Sequence, residues 1–337
     1  MMSKVKVAIT GFGRIGRCVA RLMADMEDVE LVAVNDTTDR EMTKYLLKYD
    51  SVHGTFDKDV EILDDDYMMI GDMKVKFLND RDPKNLDFAS YGADVLLECT
   101  GVFYTQEKSQ VYLDKGIKKV IFSAPAKDKE TATFVVGVNE DKYAGEAIIS
   151  NASCTTNCLA PVVKVLDDTF GVEQGLITTI HSYTNDQNIL DVKHSKDPRR
   201  ARAAAVNMIP TTTGAAKAIG LVMPHLQGKL NGQAVRVPTP NVSMVDLNVM
   251  VKKDTTKEEV NEAFKKAQEQ KPDIILVDED KRVSSDFIGC EISSIIASDL
   301  TQVLGGNLVK VMAWYDNEWG YSKRLIDLAV YAVNYKG

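Results

Sequence analysis

The run Val5-Lys6-Val7-Ala8-Ile9 passes through Thr10 into Gly11-Phe12-Gly13-Arg14-Ile15-Gly16, and small or apolar residues at 15, 18, 19, 22 and 23 then follow helical spacing. A strand, a G-x-G-x-x-G turn and a helix in that order make the turn a candidate cradle for a dinucleotide. Each glycine answers a separate physical need, since the turn is tight, a pyrophosphate must approach the backbone with no Cβ in the way, and the helix packs close on its strand. The first N–H groups of the helix then hold the anion. By itself the glycine spacing is weak, because an ordinary strand-to-helix turn can carry it. The next strand, Leu31–Val34, strengthens it: it ends at Asn35-Asp36, which puts Asp36 20 residues beyond Gly16, where an acid accepts from ribose hydroxyls. An acid there favours NAD, since the 2′-phosphate of NADP would meet its charge.

Outward from this unit, Val95–Leu97, Val120–Phe122 and Ala147–Ile149 read as further buried strands alternating with helix-period segments. Short unbroken apolar runs of that kind belong to a mostly parallel sheet covered on both faces. The segment Asp57–Leu78, with its acidic DDD turn and the pair MMI and VKF, reads as a hairpin inserted into the alternation. From about residue 175 the runs Leu176–His181, Met244–Val251, Ile292–Ala297 and Leu308–Trp314 suggest a second, largely antiparallel sheet. Helices over Leu159–Phe170 and Lys257–Gln268 would cover it, and Ser322–Tyr335 reads as a closing amphipathic helix. The fold class expected is α/β: an N-terminal doubly wound parallel sheet of the Rossmann type, then an α+β domain.

With 337 residues, a prior of roughly 150 per domain gives about two domains. Lys and Arg total 41 against 49 Asp and Glu, a net charge of −8, so a general nucleic-acid grip is not expected and any cationic site must be local. Cysteines at 18, 99, 154, 158 and 290 do not form a secreted disulfide framework, and the expected setting is the reducing cytoplasm. Neither a signal-peptide pattern nor a membrane-length apolar stretch is legible.

Ser150-Asn151-Ala152-Ser153-Cys154-Thr155-Thr156-Asn157-Cys158 follows a strand and leads into a helical pattern. Cys154 is therefore expected at or near a helix start, where N–H groups and the dipole favour a thiolate. Cys18, Cys99 and Cys290 read as inert thiols, the usual state of an isolated cysteine. His181, at the end of the strand Leu176–Ile180, is the candidate base, able to pair with the thiol and to move a proton. Cys154 and Cys158 could form half a metal site or a redox pair, but no second ligand pair stands at zinc spacing, and no metal is expected.

GFGRIGR at 11–17, SNASCTTNC at 150–158, HSYTNDQ at 181–187, RRARAAA at 199–205 and WYDNEWGYS at 314–322 together resemble glyceraldehyde-3-phosphate dehydrogenase of the phosphorylating type, from end to end. The resemblance implies an NAD-binding domain over 1–152, a catalytic domain over 153–319 and a helix at 320–337 that packs back on the first. It implies Cys154 as nucleophile and His181 as base. For the substrate phosphate it implies Thr184 and Arg236; for inorganic phosphate, Ser153, Thr155, Arg200, Thr213 and Gly214. The cofactor residues implied are Gly11, Gly13, Gly16, Arg14 and Ile15 through their backbone, Asp36, Arg81, Ser123, and Asn317 at the nicotinamide amide. Glyceraldehyde 3-phosphate, inorganic phosphate and three further copies of the chain, as a homotetramer, are the implied partners.

The sequence departs from the family pattern at Thr10, where Asn is usual, and at Thr37 and Lys193, both of a kind that admits NADP. Two rival readings stand beside this one: erythrose-4-phosphate dehydrogenase, which usually lacks the SYTNDQ and TTTG signatures present here, and a non-catalytic NAD- or RNA-binding regulator with Cys154 as an oxidation sensor. Loss of His181, Arg236 or Thr184 would mark the latter, and all three are present.

Overall fold

The structure, a computed structural model, describes residues 4–195 and 197–337. The chain divides into two compact units, one of residues 1–136, 140–153 and 322–337, the other of 137–139 and 154–321.

In the first unit β1 (Val5–Thr10), α1 (Arg14–Met23), β2 (Val29–Asn35) and α2 (Arg40–Lys48) follow in turn, then the two-residue strands β3 (Tyr49–Asp50) and β4 (Gly54–Thr55). β5 (Val60–Ile62), β6 (Tyr67–Ile70), β7 (Met73–Leu78), β8 (Val95–Glu98), α3 (Gln106–Asp114), β9 (Lys119–Phe122), β10 (Ala132–Thr133) and β11 (Ile148–Ser150) complete the sheet region. The nine-stranded order is β10-β11-β9-β8-β1-β2-β7-β6-β5. Every pair from β10 to β7 is parallel, and β6 alone is reversed, pairing antiparallel with both β7 and β5. The chain reverses its winding between β1 and β8, and such switch points place ligands at strand C-termini. Val95, Leu96 and Leu97 have no exposure, as a strand covered on both faces requires.

The expected hairpin is present, with MMI in β6 and VKF in β7 paired antiparallel, but it is not a separate insertion. The VKF arm lies in β7, which pairs in parallel with β2 and is a full member of the main sheet, with β6 and β5 as an antiparallel edge. Alternation of period two is the same whichever neighbour a strand pairs with, so the pattern could not choose the partner. The closing helix α7, introduced below, adds its part from Ser322 onward to this unit, where the rings of Tyr331 and Tyr335 meet Tyr143 at 6.1 and 5.0 Å between centroids.

The second unit begins with α4 (Cys154–Phe170) and β12 (Val172–Ser182), then β13 (Ile209–Thr212), α5 (Ala215–Val222), β14 (Leu230–Val237) and β15 (Ser243–Val251). α6 (Lys257–Gln270), β16 (Ile275–Asp278), β17 (Ser294–Ala297), β18 (Gln302–Leu304), β19 (Leu308–Tyr315) and α7 (Trp319–Asn334) follow. The sheet order is β13-β14-β12-β15-β19-β17-β16, with β18 beside β19; only β12–β14 and β16–β17 are parallel. α4 packs on β12, β15 and β19 of one face. Its Leu159, Val162, Val163 and Leu166 are unexposed, each burial contributing about 1.5–3 kcal/mol. α6 opens with a capping box in which Thr256 Oγ1 accepts from Glu259 N and the Glu259 carboxylate accepts from Thr256 N. The opposite face alternates out: Leu176, Thr178 and Ile180 of β12 stand against buried Ile177, Thr179 and His181. Among the described residues no helix is long and apolar enough to cross a membrane.

Sequence periodicity places the start of α4 at Leu159, five residues late. Thr155, Thr156, Asn157 and Cys158 are all buried, so the first turns show no polar stripe, and Pro161 suits a first helical turn although here it lies inside the helix.

Candidate active site

The G-x-G-x-x-G turn joins β1 to α1, and its three glycines are glycines for three different reasons. Gly11 has φ +88°, and a Cβ there would stand 2.6 Å from the backbone of Cys99 and Thr100 at the end of β8. At Gly16 it would meet Gly11 O at 2.5 Å, the close helix-to-turn packing. At Gly13 a Cβ would meet nothing within 4 Å, so that position is left open toward solvent. An open second glycine beside two closed ones is what a pyrophosphate-binding turn needs, and the residues fit a dinucleotide.

Gly11, Gly13, Asp36, Thr37 and Arg81 share a cavity of about 510 Å³, which Thr100, Val102, Phe103 and Tyr112 also line. Asp36 Oδ2 accepts from Phe12 N at 2.6 Å and Oδ1 from Thr38 N at 2.8 Å, which holds the carboxylate against the turn. Each oxygen keeps a lone pair for a ribose hydroxyl. The Arg14 side chain is turned to Asp50, so Arg14, with Ile15, has only its backbone to offer an anion. Burial would raise the Asp50 carboxyl, but the Val52 and His53 N–H groups and Arg14 outweigh it and hold the group at about 2. Ser123 Oγ lies 3.1 Å from Tyr104 Oη.

In the second unit the thiol and its base meet. Cys154 is the first residue of α4 and His181 the penultimate residue of β12; Cys154 Sγ lies 3.6 Å from His181 Nε2. Two residues ahead of Cys154, Ala152 adopts φ +56°, a left-handed conformation that costs a non-glycine residue roughly 1–3 kcal/mol and is typical of functional turns. His181 Nδ1 is 2.7 Å from Ser182 O and 2.8 Å from Arg236 Nη1, which itself donates to Ser182 O at 3.0 Å. In the tautomer that directs Nδ1–H to the Ser182 carbonyl, Arg236 Nη1 donates to that carbonyl and not to the ring, and Nε2 is left to accept a proton from the thiol.

Burial governs both groups. It pushes the Cys154 thiol up, against the pull of the Arg236 charge and of the Thr155 N–H and hydroxyl. It pushes the His181 imidazole down to about 3, with the Arg236 charge acting the same way. A thiolate alone or an imidazolium alone is therefore costly. Proton transfer from Sγ to Nε2 creates both at once as opposite charges in contact, so the two titrate as a pair. The helix-start thiolate expected from sequence is thus opposed by burial, and His181 Nε2 is the proton acceptor in contact with it.

Thr155 is buried, and its Oγ1 lies 2.8 Å from Tyr315 Oη, which also contacts Thr179 Oγ1 at 2.9 Å. Cys158 is unexposed, with Sγ facing the carbonyls of Ala313 and Trp314 on β19 at 3.9 and 4.0 Å. Arg200 Nη1 donates to Asp186 at 2.6 Å and Nε to Thr211 Oγ1 of β13 at 2.9 Å, so part of its guanidinium ties the segment after β12 to β13. Thr213 Oγ1 accepts from Ala215 N at the start of α5, with Gly214 between them. Thr184 is half-buried, and its carbonyl accepts from Gln187 N. Asn317 is buried with Oδ1 held by Ser182 and Ser243. Ser153 immediately precedes α4.

The model of the glyceraldehyde 3-phosphate dehydrogenase NAD binding domain matches residues 5–106, and that of the C-terminal domain of the same enzyme matches 153–317. The chain is 53% identical over 329 residues to glyceraldehyde-3-phosphate dehydrogenase 1 of Bacillus cereus, covering 97% of this chain and 98% of that one. It is 54% identical over 331 residues to glyceraldehyde-3-phosphate dehydrogenase 2 of Nostoc, with 96% and 97% covered. The chain belongs to the glyceraldehyde-3-phosphate dehydrogenase family.

Membership favours the dehydrogenase reading over both rivals, and the matched NAD binding domain contains the glycine turn and Asp36. Sequence reasoning misses several residues that build the pockets described above. Tyr315, which ties Thr155 to Thr179, sits inside WYDNEWGYS, where the motif points to Asn317 alone; alternation along β19 with buried Val311 and Ala313 is the available signal. Glu98 reads in sequence only as the residue after a buried strand, yet it is unexposed and holds Thr100, a wall of the cavity at the glycine turn, through the Thr100 N–H at 2.7 Å and its hydroxyl. The cysteines that read as inert differ in setting: Cys18 is buried, Cys99 lines the cavity with burial pushing it up to about 12, and Cys290 is half-buried.

Proposed function

We propose that this chain carries out the phosphorylating oxidation of D-glyceraldehyde 3-phosphate to 1,3-bisphosphoglycerate, with NAD as cofactor. The observation that carries the reading is the Cys154–His181 contact, with Arg236 against the other ring nitrogen of the same histidine. The unit that holds the glycine turn, 1–152 with helix 320–337, binds the cofactor, and 153–319 supplies the chemistry. When bound, NAD supplies the hydride acceptor.

Cys154 Sγ attacks the aldehyde carbon while its proton passes to His181 Nε2, which returns it to the former carbonyl oxygen, giving a hemithioacetal and a neutral imidazole. His181 then holds or removes the proton of the new hydroxyl, which lets the carbonyl re-form as a thioester once the substrate is oxidised. An oxygen of inorganic phosphate attacks the thioester carbon, the C–S bond breaks, and Cys154 leaves as a thiolate with the acyl phosphate as product. Arg236 and Thr184 bind the substrate phosphate; Ser153, Thr155, Arg200, Thr213 and Gly214 bind the attacking phosphate. An acidic chain must place such cations locally, and charge-assisted hydrogen bonds from Arg are the strongest available.

Asp36 supports NAD as the main cofactor. Thr37 lines the same cavity, and with Lys193 it supports use of NADP at lower efficiency. The open sheet face, with Leu176 65% and Leu308 40% exposed, supports association with further copies as a homotetramer. Five free cysteines suit the cytoplasm. Initial rates of NAD and NADP reduction with glyceraldehyde 3-phosphate, with and without inorganic phosphate, test the reading. Turnover that needs no phosphate would remove the phosphorylating assignment.

A further inference from the structure

Three strands of the second sheet bring one polar cluster together. Ser182 ends β12, Ser243 begins the antiparallel β15, and Asn317 follows β19 by two residues. Their exposures are 0%, 1% and 6%. Ser182 Oγ donates to Asn317 Oδ1 at 2.9 Å and Ser243 Oγ donates to the same oxygen at 2.8 Å, while Ser243 Oγ accepts from Ser182 N at 3.1 Å.

The direction of these bonds follows from the donor count. A hydroxyl has one proton, and Ser243 already accepts from a backbone N–H. If the Asn317 amide were turned over, its NH2 would donate to both serines and their two buried protons would need new acceptors. The only other contact between them, Ser243 Oγ to Ser182 Oγ, is 3.5 Å long. The amide therefore keeps Oδ1 inward. A carbonyl oxygen has two lone pairs, and both are taken, so Asn317 has only N–H donors left for a ligand.

We propose that Ser182 and Ser243 are positioning residues that lock the Asn317 amide so that it presents an N–H donor, and only a donor, to the carbonyl oxygen of the nicotinamide carboxamide. The proposal rests on the reading of Asn317 as a cofactor contact. Ser182 serves the base as well: its carbonyl receives His181 Nδ1 while its hydroxyl holds Asn317, so one residue sets both the proton acceptor and the ring holder.

The probe is the thionicotinamide analogue of NAD, whose sulfur is a poor acceptor. The quantity read is the ratio of kcat/KM for NAD to that for the analogue, which cancels losses common to both. Asn317→Ala lowers this ratio about tenfold, the worth of one neutral hydrogen bond. The Ser182→Ala/Ser243→Ala double variant lowers it by a similar factor, because the freed amide can turn. The rate of Cys154 alkylation by iodoacetamide without cofactor stays within about twofold of the parent, since neither hydroxyl touches the thiol or its base. If the ratio falls with Asn317→Ala but not in the double variant, the positioning role is overturned and the contact stands. If it falls with neither, the contact itself is wrong. Should the double variant lose thiol reactivity through misfolding, the single variants decide: each opens one lone pair of Oδ1 and weakens the lock, so the ratio falls part-way, and an unchanged ratio in both overturns the proposal.

Discussion

Glu98 offers a test in which sign and size both come from burial. Its side chain ends β8 with no exposure, and its carboxyl is pushed from 4.5 up to about 7 because burial outweighs the Thr100 N–H and hydroxyl and the Tyr112 hydroxyl. A group whose proton is held more tightly in the folded than in the unfolded chain makes stability fall as pH rises between the two values. Below pH 4.5 both states are protonated and nothing is lost; between 4.5 and about 7 only the unfolded chain ionises; above that the loss is complete. At 1.36 kcal/mol per unit, a span of roughly 2.5 units makes the loss about 3 kcal/mol. Glu98→Gln removes the titration while its amide oxygen can still accept both Thr100 bonds. The assay is urea unfolding of both proteins from about pH 4 to about pH 8. The variant's stability relative to the parent should rise by about 3 kcal/mol over that interval and level off at each end. A difference that stays constant with pH would show that Glu98 ionises as freely in the folded chain as in the unfolded one, and the desolvation argument would fall.

Cys154→Ser should abolish oxidative turnover and leave NAD binding intact, measured by fluorescence titration, while Cys158→Ser should be mild because Sγ faces β19; equal losses would misplace the nucleophile. His181→Asn should slow turnover roughly 10²–10⁴-fold and retard thiol alkylation near neutral pH, because Sγ loses the group that takes its proton. An unaltered alkylation profile would uncouple the two. Arg236→Ala should raise KM for the phosphorylated aldehyde far more than for glyceraldehyde; equal effects would mean that it serves the fold alone. Asp36→Ala should increase NADP use relative to NAD by removing the charge at the ribose, and Lys193→Pro should reduce it, most visibly at low ionic strength. No change in either variant would place the 2′ position elsewhere.

The elements that sequence places well are those whose signal is local. The turn at Gly11–Gly16 combines a strand, a helix and an acid at fixed spacing, and β8 and β9 are short apolar runs with no other reading. Where the signal depends on partners it is lost. The VKF arm pairs with MMI as its spacing suggests, but its second pairing, to β2, leaves no mark in the pattern, and the entry to α4 is buried all round and so has no stripe. Most candidate residues of the thiol pocket come through family motifs, whose residue types carry their chemistry even when their contacts are unknown.

Sequence by itself determined the strand-turn-helix with its three glycines, the candidate acid for the ribose, the candidate thiol near a helix start and the family, because each is written in neighbouring residues. Tertiary structure alone decided what those groups do to one another. Cys154 and His181 are 27 positions apart, and Thr155 and Tyr315 are 160 apart. Only the packing of α4 on β12 and β19 makes them neighbours. Desolvation is also a property of the assembled core: it raises the Cys154 thiol, lowers the His181 imidazole and leaves Glu98 titrating near neutrality. No spacing in the chain encodes that, because water is excluded only when distant segments pack together.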